Sequence, residues 1–177
     1  VNGTSYEVRV AAYTNAVISS YSSTVLVTPR TVPSAPVVTA TPGTSQVALS
    51  WAAPADNGAA ITDYVIKYRL NGDTNWITKV DGVNTNTSYV VPNLLNATLY
   101  DFQVLAKNIA GDGVASSVVT GKPFTTPSAP TGISAVSGQG AVTVTWNVPS
   151  SDGGSVITDY SIQYKRLSDT NWIDYSH

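Results

Sequence analysis

The stretch from Pro33 to Trp76 is written a second time from Pro127 to Trp172, and this internal repeat constrains the fold more than any other feature of the chain. Pro33-Ser34-Ala35-Pro36 returns as Pro127-Ser128-Ala129-Pro130, and Trp51 with Pro54 returns as Trp146 with Pro149. Ile61-Thr62-Asp63-Tyr64 returns as Ile157-Thr158-Asp159-Tyr160, and Asp73-Thr74-Asn75-Trp76-Ile77 as Asp169-Thr170-Asn171-Trp172-Ile173. The spacing is 94 residues at the prolines, 95 at the first tryptophans and 96 at the second, so two single-residue insertions separate the copies. A period that long describes a whole small domain rather than a solenoid turn.

Composition narrows what such modules do. Only 11% of the 177 residues are charged and the net charge is −2, so there is no basic field to hold a nucleic-acid backbone or an anionic bilayer. No apolar run approaches the roughly 18 residues of a membrane helix, and no charged-then-apolar leader opens the chain. Cysteine is absent, which excludes disulfides and thiolate metal sites. Methionine is absent too, which leads us to expect an internal piece of a longer protein.

Hydrophobic residues recur with period two, Val, Thr, Tyr, Ile and Ser dominate the runs, and Gly, Pro, Asn and Asp cluster between them. This is an all-β pattern. Val47, Leu49 and Trp51 alternate with Ala48 and Ser50; Tyr64, Ile66 and Tyr68 alternate with Val65, Lys67 and Arg69. Asn71-Gly72 predicts a tight hairpin that returns through Trp76 and Ile77. Tyr89 and Val91 mark a further short strand, closed by Leu94. Tyr100, Phe102, Val104 and Ala106 take one face of the next, with Asp101, Gln103 and Lys107 on the wet face and only Leu105 breaking it. Gly111-Asp112-Gly113 turns the chain into a last strand from Val114 to Thr120. Seven strands with turns at intervals of about 8 to 12 residues are the signature of a two-sheet antiparallel sandwich.

In order along the chain stand Pro33 and Pro36, Trp51, Tyr64 with Tyr68, Leu94 six residues before Tyr100, and then Tyr100, Phe102, Val104, Ala106 and Asn108. As a set these residues resemble the fibronectin type III module, an immunoglobulin-like sandwich. The resemblance implies a core built on Trp51, Tyr64, Tyr68, Leu94, Tyr100, Phe102 and Val104, with Trp146 as the second copy of Trp51. It also implies that the Tyr100 hydroxyl bonds back to backbone near Leu94. The style of the repeat, with Asp-Asn-Gly before Ile-Thr-Asp-Tyr and Thr-Pro-Ser-Ala-Pro joints, looks like bacterial or phage surface proteins.

The ends carry the pattern in pieces. Tyr6, Val8, Val10 and Ala12 lie 94 residues before Tyr100, Phe102, Val104 and Ala106, and Ser22-Ser23 lies 94 before Ser116-Ser117. The expected organisation is therefore tandem: residues 1–31 as the last two strands of one module, 32–125 as a complete module, and 126–177 as the first four strands of a third. Together the end pieces lack the counterpart of Gly82 to Leu94. Either the chain is a window on a longer array, or neighbouring copies complete one another's half-modules in a fibre. The missing strand favours the window. The joints Pro29–Pro36 and Pro123–Pro130 each hold three prolines in eight residues, a composition that prefers extended, semi-rigid backbone.

Reactive chemistry is sparse. No catalytic residue, cofactor site or metal site emerges, and the one histidine, His177, ends the chain. Asp56 and Asp152 in Asp-Asn-Gly and Asp-Gly-Gly loops read as turn residues bonding local backbone rather than calcium ligands. Asn2, Asn86 and Asn96 head N-glycosylation tripeptides. Trp76 and Trp172 fall on a sheet edge, as half-exposed packing or as an interaction surface. No Arg-Gly-Asp tripeptide is present.

Two function classes remain, with an enzyme expected only elsewhere in a parent chain. One is an extracellular or cell-surface structural spacer, in a stalk or fibre or a phage particle, whose partners are neighbouring modules and further copies of itself. The other is an adhesion module recognising carbohydrate or a protein surface through Asp56, Asn57, Gly58, Ile109 and Asp112, which the resemblance brings to one pole. A third, remote reading is an accessory domain of a secreted polysaccharide-degrading enzyme.

Overall fold

In the computed structural model, which describes residues 1–175, the chain divides into two compact units, Val1–Phe124 and Thr125–His177. The first unit begins with a hairpin of β1 (Tyr6–Val8) and β2 (Val25–Val27), paired Tyr6 to Val27 and Val8 to Val25. A complete sandwich follows. Its first sheet has the order β3 (Val38–Gly43), β4 (Gln46–Trp51), β7 (Ser88–Pro92). Its second has the order β10 (Val119–Gly121), β8 (Tyr100–Asn108), β5 (Asp63–Leu70), β6 (Ile77–Lys79), with β9 (Gly111–Asp112) also on β8. Every strand pair is antiparallel.

The alternation explains the core. Val47, Leu49 and Trp51 from β4 meet Tyr64 and Ile66 from β5 and Tyr100, Phe102, Val104 and Ala106 from β8, all buried, with Val91 and Leu94 closing the side. Tyr68 is only partly buried, packed against this cluster and against the rings of Tyr100 and Phe102. Trp51 meets Tyr64 edge-on with centroids 5.2 Å apart. Burial pushes the Tyr64 phenol above its ordinary pKa; the nearby Trp51 N–H opposes this but reaches no hydrogen-bond geometry, and is a buried donor without a partner. The Tyr100 hydroxyl accepts from the Leu95 N–H at 3.1 Å, pinning the crossing between the sheets.

Three local expectations are corrected. Asn71-Gly72 does not form a two-residue hairpin: only Gly72 has positive φ, and β6 starts at Ile77. The Asn71 amide is occupied instead, donating to Asp101 Oδ1 at 2.7 Å. Asp101 is not on a wet face; it is 3% exposed because Arg69 Nε donates to its other oxygen at 3.0 Å. The last strand is not a regular ladder from Val114 to Thr120: between β9 and β10 the Gly113 and Ser116 N–H groups still donate to the Ala106 and Val104 carbonyls, at 2.7 and 2.9 Å, but the strand itself is interrupted. In the gap the buried Ser116 hydroxyl accepts the Val104 N–H at 3.1 Å, doing the work of a backbone carbonyl. Ser22 does the same for the Val10 N–H at 3.1 Å in the first hairpin, which is why the serines repeat.

The second unit pairs β11 (Thr131–Ser137) with β12 (Val142–Asn147), and β13 (Ile162–Tyr164) with β14 (Ile173–Tyr175). Ile162 faces Tyr175 and Tyr164 faces Ile173, the register of Ile66 with Lys79 and Tyr68 with Ile77. One inserted residue is visible as a bulge in β11 between Thr131 and Ser134, made possible by Gly132 at φ +60°. Trp146 meets the Tyr160 ring at 5.2 Å, as Trp51 meets Tyr64, but it is half-exposed. The expectation of a buried Trp146 is thus corrected: the strands that would cover it are not in this unit. His177 lies outside the described residues.

Candidate functional site

The loop before β5 and the loop after β8 meet the linker that leads into β3. Asp56 Oδ1 accepts the Gly58 N–H at 3.0 Å, and Asn57 and Gly58 take positive φ of 53° and 94°. That turn aims the Asn57 carbonyl at the linker, where it accepts the Thr31 N–H at 3.1 Å. The Asn57 amide donates to the Val32 carbonyl at 2.9 Å, and the Ala55 carbonyl accepts the Ser34 N–H at 3.0 Å. Gly58 admits no side chain, because a Cβ would stand 2.5 Å from Gly3 N and 2.6 Å from the Pro29 carbonyl.

Asn108 closes the socket from the other side. It is 3% exposed, and its side-chain N–H group faces the carbonyls of Thr31 at 2.9 Å, Asp56 at 2.9 Å and Ala59 at 3.2 Å. Its oxygen accepts the Ala110 N–H at 2.8 Å, so the whole amide is saturated. Gly113 lies against the linker as well: an added Cβ would meet the Pro33 carbonyl at 2.5 Å. Of the candidate contact residues, Asp56, Asn57 and Gly58 are therefore brought together, but around the protein's own linker. Ile109 is 72% exposed, and Asp112 is exposed beside Lys107 at 3.5 Å; neither is among the residues bonded to the linker.

Asn108, Thr31 and Gly113 are the members of the socket that the sequence reading missed. One signal was available: Asn108 continues the core parity of Tyr100 to Ala106, where a polar side chain needs partners.

The second copy rebuilds the same backbone bonds within its own unit. Gly153 O accepts the Thr125 N–H at 2.8 Å, Ser151 O accepts the Ser128 N–H at 3.0 Å, and Asp152 Oδ1 accepts the Gly154 N–H at 2.8 Å. Gly153 stands where Asn57 stands in the first copy, and a Cβ there would collide with the Thr125 carbonyl.

Residues 31–122 match the family model of the Fibronectin type III domain. The chain belongs to the fibronectin type III family. Among its relatives are a titin homolog of Caenorhabditis elegans, 37% identical over 131 residues, and protein sidekick-1 of Gallus gallus, 31% identical over 183. Exoglucanase B of Cellulomonas fimi is 31% identical over 144 residues. These alignments take in 70%, 97% and 75% of this chain but only 1%, 8% and 12% of the relatives, so each likeness is to a small part of a larger protein. Animal proteins and a bacterial one appear together. The style of the repeat therefore does not single out a bacterial or phage source.

The fibronectin type III module is a non-catalytic type. Among the described residues no three His, Asp or Glu side chains gather as a metal site, and no helix is long and apolar enough to cross a membrane. Asn96 is engaged at both ends of its amide, accepting the Ser45 N–H at 2.9 Å and donating to Ser45 Oγ at 3.0 Å. Trp76 is half-buried beneath the Arg69 guanidinium at 4.3 Å, whereas Trp172 is 60% exposed with Lys165 at 5.4 Å.

Proposed function

We propose that this chain is part of a tandem fibronectin type III array whose work is structural, as an extracellular or cell-surface spacer that holds neighbouring modules at set positions. The division into residues 1–31, 32–125 and 126–177 belongs to that reading. The observation that carries it is the socket. The loops that would offer a ligand surface instead grip the linker: Asn57 and Asn108 donate to the Val32 and Thr31 carbonyls, and Gly58 and Gly113 lie too close to linker carbonyls to admit a side chain. A module built for adhesion keeps such donors for its ligand; one built for spacing uses them to stiffen its joint.

Because the chain has no cysteine, a cysteine pair placed at Leu26 and Val90, both exposed, accepts spin labels cleanly. A single narrow distance distribution is the expected result, broadening in Asn108→Ala. A broad distribution in the parent protein would remove the support for a spacer. The likeness to exoglucanase B favours a second reading, modules accessory to a polysaccharide-degrading enzyme. A catalytic domain in the full-length protein would decide for it.

A further inference from the structure

We infer that Asn86 is the N-glycosylation site of the complete module, taking an asparagine-linked oligosaccharide, and that Asn96, which heads an equally good tripeptide, is not. This rests on the extracellular reading proposed above. Sequence alone does not separate Asn2-Gly3-Thr4, Asn86-Thr87-Ser88 and Asn96-Ala97-Thr98. Their places in the fold do.

Asn96 is already bound into the structure. Its Oδ1 accepts the Ser45 N–H at 2.9 Å and its Nδ2 donates to Ser45 Oγ at 3.0 Å, which latches the turn between β3 and β4 to the corner before β8. The Ser45 carbonyl in turn accepts the Leu94 N–H at 3.0 Å, and the Pro123 carbonyl accepts the Ala97 N–H at 2.8 Å. Asn96 is half-buried, and a saccharide on Nδ2 would have to displace Ser45 from this latch. Asn2 is the same feature one period earlier. It lies 94 residues before Asn96, and the middle residues Gly3 and Ala97 both take positive φ, 78° and 62°. Two of the three tripeptides therefore recur because the corner recurs.

Asn86 has no such duty. Asn86, Thr87 and Ser88 are all exposed. The Asn86 backbone N–H donates to Asn84 Oδ1 at 3.0 Å, and among the described residues no hydrogen bond engages its side-chain amide. The Thr87 carbonyl beside it accepts the Trp51 N–H at 2.9 Å, so the tripeptide is anchored where β7 begins. β7 is an edge strand of its sheet, and Val90 on it is 45% exposed. A bulky, hydrated saccharide at that edge obstructs pairing with a foreign strand. The modification is a group transfer from an oligosaccharide carried on a polyprenyl diphosphate. Asn86 Nδ2 bonds the anomeric carbon, the bond from that carbon to the diphosphate oxygen breaks, the lipid diphosphate leaves as an anion, and the amide proton passes to a base of the transferase.

The test is the 177-residue chain sent through a eukaryotic secretory pathway behind a cleavable leader, with Asn2→Gln so that only the two tripeptides of the complete module remain. Mass spectrometry of the secreted protein, before and after peptide N-glycosidase, reads the occupancy of each asparagine. One glycan is expected, on Asn86. Ser88→Ala should abolish it, whereas Thr98→Ala, which spoils the other tripeptide but keeps the Asn96 amide, should leave it in place. A secreted parent without a glycan, or a glycan that survives Ser88→Ala, would overturn the inference. Failure of the extracellular reading looks different: a chain that its own source keeps in the cytosol but that takes the glycan on Asn86 in this experiment refutes that reading and supports the site.

Discussion

Asn108 donates from its side-chain amide to the Thr31 carbonyl at 2.9 Å, a bond spanning 77 residues that ties the end of β8 to the linker ahead of β3. Because the same amide also serves Asp56, Ala59 and Ala110, Asn108→Ala orphans several part-buried backbone groups at once. The expected loss is about 1–3 kcal/mol in denaturant unfolding. Amide exchange should speed up at Thr31 and Ala110 more than in β4 or β5. A uniform change across the module would mean that Asn108 serves the core and not the joint.

Two glycines with similar backbone separate strain from contact. Gly72 at φ +90° has nothing within 4 Å of an added Cβ, so Gly72→Ala meets only the penalty of positive φ, about 1 kcal/mol. Gly58 at φ +94° would in addition press a methyl group on Gly3 and the Pro29 carbonyl. Gly58→Ala should therefore release residues 1–31 from the loop, seen as new protease cleavage near Pro29, while Gly72→Ala leaves that segment protected.

Much of the fold was legible because its signal is local and periodic. Val47, Leu49 and Trp51 announce their face by alternation alone, and the repeat locates the module from within the chain. What stayed illegible depends on partners far along the chain. Asp101 sits at wet parity and is buried only because Arg69 and Asn71, about thirty residues earlier, supply donors. The socket was half legible: Asp56-Asn57-Gly58 reads as a turn, but the groups it grips are linker carbonyls, which every residue type possesses. Ser116 shows the same limit, since a serine that replaces a backbone acceptor looks like any strand serine.

Trp51 and Trp146 occupy matching positions with matching ring contacts and differ in cover. Trp51→Ala should destabilise the complete module by about 3–5 kcal/mol, the range for an aromatic truncation in a packed core. Trp146→Ala should change that module's unfolding free energy by less than about 0.5 kcal/mol, because Trp146 is outside its core cluster. A loss under about 1 kcal/mol for Trp51→Ala would place it outside the core.

Arg69 holds the buried Asp101 and covers Trp76. Arg69→Ala leaves a carboxylate with only Asn71 as its side-chain partner, and about 1–3 kcal/mol should be lost. Its guanidinium is partly solvated, with 22% of the side chain exposed, so the loss stays below that for breaking a fully buried pair. Arg69→Ala combined with Asp101→Leu should regain part of the stability, because the stranded charge is gone. If the double variant is weaker than the single one by the full effect of Asp101→Leu, the two residues are not coupled.

Ser116 and Ser22 make the same bond in different surroundings. Ser116 is 3% exposed, and its hydroxyl accepts the Val104 N–H while donating to the Ser117 carbonyl at 2.9 Å. Ser116→Ala strands a donor in the core where water cannot replace the hydroxyl, and should be destabilising by about 1–3 kcal/mol. In the hairpin, Ser22 accepts the Val10 N–H and donates to the Ser23 carbonyl in an exposed setting, so water takes over and Ser22→Ala should change stability by less than about 0.5 kcal/mol. Denaturant unfolding of the two variants checks this, and equal losses for Ser116→Ala and Ser22→Ala would mean that burial does not set the cost of losing the hydroxyl.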